Sequence, residues 1–283
     1  MKTKTRSGIC IIVGNSGPSK FLFFDKPVRT IELTKDESLQ ISSFLVDGIN
    51  AEVAMDVKGQ TEKGILVEPG MMRILTEVER EAKRYMEEHH FSGHDFAHVL
   101  RVQRFCKAIG EKENADMVVL LASALLHDLG RDHERKNPAI DHAEKSAEIA
   151  EGILRKVSFP SEKIPAVVYA IKVHRFSKGV TPTTQEAKIL QDADRIDISG
   201  ATGIATTFAY GGAHNYGLYD PNDPFATSRD LDDEKYSLDH FYTKLLHLPK
   251  TMHTKIGREI AENRMKFVHM FLKELKYEIE GEV

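Results

Sequence analysis

Met117-Val118-Val119-Leu120-Leu121-Ala122-Ser123-Ala124-Leu125-Leu126-His127-Asp128-Leu129-Gly130 is the stretch from which the rest of this chain is read. It has no polar stripe, as expected of a helix buried on all sides. None of the ten residues before His127 is charged, and then an imidazole and a carboxylate arrive side by side. Either group in an apolar interior is costly unless something compensates it. Gly130 reads as the stop that follows.

The same anomaly recurs on either side. His98 shares a helical stripe with Val102, Phe105 and Ile109 at i+4, i+7 and i+11. His174 completes the stripe of Val167 and Ile171, and Asp194 and Asp197 complete that of Ala187 and Leu190. His142 opens a helix beside the Ala143 stripe. Each has an ordinary explanation when taken alone. A single His on an apolar face is more often a hydrogen-bonded core residue than a ligand. His127-Asp128 reads as a helix-end pair, since a cation is favoured near a helix C-terminus. Asp194 reads as a cap, or as a partner of Arg195 or Arg131. Together these explanations need a separate partner for every group, whereas one cluster of dications compensates them all. His98, His127, Asp128, His142, His174 and Asp194 are therefore candidate ligands. Imidazole and carboxylate donors without thiolate suit one or two ions of Mn, Fe, Co, Ni, Zn or Mg.

The helical period starts at Met71 and continues through stripes at 74–85, 96–109, 143–157, 164–171 and 187–193 to a closing helix over 252–279. The stripe at 96–109 is expected to end near Gly110. Residues 211–237, rich in Gly, Pro, Asp and Asn, have no period and read as an exposed loop or a lid. Tyr210, Tyr216 and Tyr219 would then be placed to cover a nucleobase. Residues 1–68 have a different texture. Short β-favouring runs at 9–13, 21–24, 28–33, 39–46, 51–57 and 64–67 alternate with turn signals such as Asn15-Ser16-Gly17-Pro18 and Asp47-Gly48. They predict a small antiparallel β domain, with Pro69-Gly70 as the linker and exposed strand edges that make homo-oligomerisation plausible.

Composition narrows the function classes. A net charge of −4 over 283 residues argues against a dedicated nucleic-acid binder. Two cysteines, Cys10 and Cys106, make neither a disulfide framework nor a thiolate zinc site. No run is long enough to span a bilayer and no signal-peptide order is present, so the expected location is cytoplasmic.

The set His98-x-x-Arg101-Val102, His127-Asp128 and Ala193-Asp194-Arg195 resembles the HD superfamily of metal-dependent phosphohydrolases. The resemblance runs from Met71 to the C-terminus. It implies a mainly α, HD-type helical bundle, α+β overall once the N-terminal β domain is added. It also implies one ion on His98, His127, Asp128 and Asp194, and a second on His142, His174 and a bridging Asp128. The activity implied is hydrolysis of nucleotides or other small phosphorylated molecules. With a single ion, Asp128 or Asp197 would position the attacking water. Arg131 stands where the family often has Lys and keeps a fixed positive charge suited to phosphate. Lys178, Lys188 and Arg195 are further phosphate candidates. His94, one turn before His98, is ranked as substrate-facing rather than as a ligand. The segment after His174 lacks the signatures of cyclic dinucleotide phosphodiesterases, and Arg131-Asp132 replaces the Glu-Asp pair of alarmone hydrolases. Two other readings stay open: an HD-type di-iron oxygenase, and a regulatory protein that binds metal or nucleotide without turnover.

Overall fold

The computed structural model describes residues 9–12, 21–24, 69–89 and 96–281. The chain divides into two units, Met1–Gly64 and Ile65–Val283. In the first, strand β1 (Ile9–Ile12) pairs antiparallel with β2 (Phe21–Phe24), Ile9 opposite Phe24. Among the described residues these two four-residue strands do not amount to a domain, and a two-stranded hairpin is marginal in water. The expected N-terminal β domain is therefore corrected, and the described architecture is helical. The β-favouring runs at 28–33, 39–46, 51–57 and 64–67 lie outside the described residues. Short apolar runs have too little period to fix a fold.

The second unit is built from α1 (Pro69–Glu88), α2 (Phe96–Glu113), α3 (Met117–Leu126), α4 (Arg131–Lys136) and α5 (His142–Lys156). It continues through α6 (Ile164–Lys172), α7 (Gln185–Asp197), α8 (Gly200–Ala213), α9 (Asp239–Thr243) and α10 (Lys255–Glu280). Pro69-Gly70 is the first turn of α1 rather than a linker, since a proline at the start gives up no helical hydrogen bond.

Helix α3 is the axis of the bundle and packs against α1, α2, α6 and α7. Nine of its ten residues are buried, and each large side chain contributes roughly 1.5–3 kcal/mol by leaving water. Asp116 starts the helix by accepting hydrogen bonds from the Val118 and Val119 N–H groups. Ser123, fully buried, donates its hydroxyl to the Val119 carbonyl. Helix α2 runs past Gly110 and ends at Glu113, where Asn114 takes a positive φ of 55°. Gly110 is there for contact with α3: a Cβ would lie 2.5 Å from Leu120 Cδ2. Gly130 answers the same need. A Cβ on it would lie 2.3 Å from the His142 carbonyl oxygen, so the turn after α3 presses directly on the start of α5.

A second core joins Leu238, Phe241 and Leu245 to Met265, Val268 and Leu272 of α10. Helix α8 docks on it through Phe208, whose ring centroid is 5.7 Å from that of Phe241. Helix α8 shows no period in the sequence, because its four glycines hide it. Most of the segment expected to lack structure is held in place. Arg229 forks onto Asp239 at 2.6 and 2.8 Å, and Asp223 accepts from Thr227 and Ser228. Tyr219 packs on the second core, while Tyr210, His214 and Tyr216 cluster with one another at the end of α8. No helix among the described residues is long and apolar enough to cross a membrane.

Candidate metal centre

Three elements deliver four side chains to one point beneath the end of α3. His98 comes from α2, His127 and Asp128 from the turn after α3, and Asp194 from the last turn of α7. His98 Nε2 lies 3.3 Å from His127 Nε2, 3.6 Å from Asp128 Oδ2 and 3.3 Å from Asp194 Oδ1. His127 Nε2 lies 3.7 Å from both Asp128 Oδ2 and Asp194 Oδ1. Donors bound at about 2.0–2.2 Å to one ion stand roughly 3–3.6 Å apart, so the spacing fits a shared cation.

A second group shares Asp128. His142 Nε2 is 3.8 Å and His174 Nε2 is 3.5 Å from Asp128 Oδ1. Neither Nε2 atom has a hydrogen-bond partner although both are buried. The trios His98, His127, Asp128 and Asp128, His142, His174 are thus two sets of buried donors that could hold a metal ion.

What turns these nitrogens inward is the bond each ring makes with its other nitrogen. His127 Nδ1 lies 2.8 Å from the Ala124 carbonyl, and His174 Nδ1 lies 2.6 Å from the Ile171 carbonyl. A carbonyl only accepts, so Nδ1 carries the proton and a neutral ring offers a bare lone pair at Nε2. His98 Nδ1 is 2.8 Å from Asp197 Oδ2, and His142 Nδ1 is 2.8 Å from Glu134 Oε2. All four imidazoles therefore have the outer-sphere acceptor that metal-bound histidines almost always use.

The electrostatics differ between the groups. Burial works against a charged His98, but hydrogen bonds to Asp194 and Asp197 prevail and push its pKa up to about 10. Burial likewise opposes ionisation of Asp194, yet His127 and His98 hold it well below the usual carboxylate range. That corner calls for positive charge. In the other, burial and then the Arg131 charge pull His142 down to about 4, which leaves its ring neutral with a free donor nitrogen.

The remaining expected contacts divide. Arg131 is at the centre, its Nε 2.9 Å from Asp128 Oδ1. Asp197 stands behind His98, and Arg101 Nε and Nη2 take its oxygens at 2.7 and 3.0 Å. Arg195 is corrected as a phosphate contact. It is 5% exposed and its guanidinium is committed to Asp192, the Gln191 carbonyl and Thr251. Lys188 is on that same stripe of α7, near His253, and not on the Asp194 face. Lys178 pairs with Asp141 at 2.8 Å, and His94 lies outside the described residues. Sequence reasoning missed the roles of Glu134 and Arg175. Their signal was faint: an acid in the first turn of a six-residue helix, and an Arg beside His174.

Comparison with known proteins agrees with this geometry. The family model for the HD domain matches residues 95–199, which span His98 to Asp197. An uncharacterised Bacillus subtilis protein, YpgQ, is 36% identical over 194 residues, 67% of this chain and 86% of its own. The crystal structure of YpgQ in complex with ADP superposes with a TM-score of 0.58 at 30% identity, covering 74% of this chain and 96% of that one. An HD-superfamily hydrolase from Bacillus thuringiensis gives 0.59 at 29% identity, covering 74% and 97%. The chain belongs to the HD superfamily, and its buried His/Asp groups fit a metal-dependent hydrolase of that type.

Proposed function

We propose that the protein is a phosphohydrolase that uses two divalent ions to cleave nucleotides or other small phosphorylated molecules with water. The observation that carries this reading is the pair of inward donor groups hinged on Asp128, with all four imidazoles backed at Nδ1. Ions held there would polarise a phosphoryl oxygen and lower the pKa of a water. His98, His127, Asp128 and Asp194 would hold one ion; His142, His174 and the other Asp128 oxygen would hold the second. Asp197 keeps His98 oriented. Arg131 spends its Nε on Asp128, while its terminal nitrogens make no hydrogen bond among the described residues. Those two form a planar fork that matches phosphate oxygens. The ADP bound to the B. subtilis relative supports a nucleotide as substrate.

The test is phosphate or pyrophosphate release from a panel of nucleotides with Mn, Co or Ni added to chelated protein. Turnover that appears with metal and vanishes on chelation is expected. Stoichiometric metal binding without turnover on any substrate would instead favour the regulatory binding role.

A further inference from the structure

The two donor groups are secured differently. The first leans on Asp197 and Arg101, a carboxylate that is buried and an arginine one turn along α2 from His98 itself. The second leans on a relay that crosses three elements. Glu134 of α4 accepts from His142 Nδ1 at 2.8 Å, and its other oxygen, Oε1, accepts from Arg175 Nη1 at 2.5 Å. Arg175 directly follows His174 in the chain. The same Arg175 nitrogen reaches Asp141 Oδ2 at 3.2 Å. Asp141 in turn caps α5, whose first residue is His142, through the Ala143 and Glu144 N–H groups.

These bonds form a closed loop. His174 and His142 face Asp128 on the inside, while on the outside Arg175 ties the residue after His174 to the acid behind His142. Moving either ring away from Asp128 strains the same ion pair. An acid placed behind a ligating imidazole fixes which nitrogen faces the metal and raises its basicity. Glu134 further offsets the positive charge of Arg131 and Arg175, which would otherwise oppose a dication beside His142.

We infer that Glu134, anchored by Arg175, is a positioning residue that sets occupancy of the second donor group without touching an ion or the substrate. The inference rests on the two-ion reading above. It makes the second ion separable from the first by residues that are not ligands.

Calorimetric titration of the full chain with Mn(II), paired with electron paramagnetic resonance of the loaded protein, tests it. Wild type is expected to take two ions and give a spin-coupled spectrum. Glu134→Ala should keep the first ion within about twofold and weaken the second by roughly 10–100-fold, the usual effect of losing an outer-sphere partner. Its spectrum should revert to that of an isolated ion. Glu134→Gln keeps an acceptor for Nδ1–H but loses the charge, so its effect should be smaller. Arg175→Lys should retain the second ion better than Arg175→Ala. Asp197→Ala should show the reverse pattern and weaken the first ion. If Glu134→Ala binds both ions as wild type does, or loses both equally while folded by circular dichroism, the positioning role is overturned. Wild type taking a single ion would remove the two-ion reading, and the relay with it.

Discussion

Helix α7 turns acids inward on two of its faces, and they have opposite fates. Asp192 is saturated. Its Oδ1 accepts from Arg195 Nη2 and the His253 N–H, and its Oδ2 accepts from the Thr254 N–H and hydroxyl, all at 2.8–2.9 Å. Arg195 is equally complete, bonded to the Gln191 and Thr251 carbonyls and stacked 4.2 Å from the Phe176 centroid. Two residues on, Asp194 points at two imidazole nitrogens that a neutral tautomer leaves without protons. One face matches donors to acceptors, and the other balances its acids only with a proton on His98 or with a cation in its place. Burial of a charged residue therefore does not mark function; a surplus of electron pairs aimed at one point does.

The largest expected effect follows from the residue that both donor groups share. Asp128→Ala should strip the protein of metal and lower turnover by far more than the roughly 100-fold upper range for an outer-sphere loss. Metal analysis of the purified variant decides this, and unchanged metal content would break the contrast. On the saturated face, Arg195→Ala should leave metal stoichiometry intact but cost about 3–5 kcal/mol in urea unfolding, because it strands a buried Asp192. Loss of metal without loss of stability would merge the two faces into one site.

A third measurement uses pH. The folded pKa of His98, about 10, is above its unfolded value of about 6.5. The native state of chelated protein thus holds more protons than the unfolded state between those limits. The stability that His98 contributes should be fully present below about pH 6.5 and be lost as pH rises toward 10. Added Mn(II) replaces the proton as the compensating charge and should flatten that slope, as thermal melts across the window would show. Equal slopes with and without metal would contradict the lone-pair surplus. The smallest effect is expected for Lys188→Ala. It is off the Asp194 face, so kcat/KM should change less than about threefold and stability by less than about 0.5 kcal/mol.

Much of this was legible in the sequence because buried helices leave a clear period. Charged residues that break the period at His98, His127, Asp128, His174 and Asp194 stood out for that reason, and the structure brings them together with His142. Arg195 misled because periodicity reports burial and says nothing of what a buried fork is bonded to. Helix α8 was hidden because its order comes from Phe208 packing on a distant helix rather than from its own propensity. The partners of the histidines were hidden too: Glu134 is eight residues from His142, and Asp197 is 99 residues from His98. Distances of that kind exist only once the chain has folded.

Gly130 has a consequence that reaches beyond packing. Its missing side chain lets the turn that carries Asp128 abut the first residue of α5, so the separation between hinge and His142 is set by the absence of one carbon atom. Alanine at 130 would act as a wedge at that seam, moving His142 away from Asp128 although no ligand residue is replaced. On the two-ion reading, a methyl group that never meets either ion would then leave the protein with one.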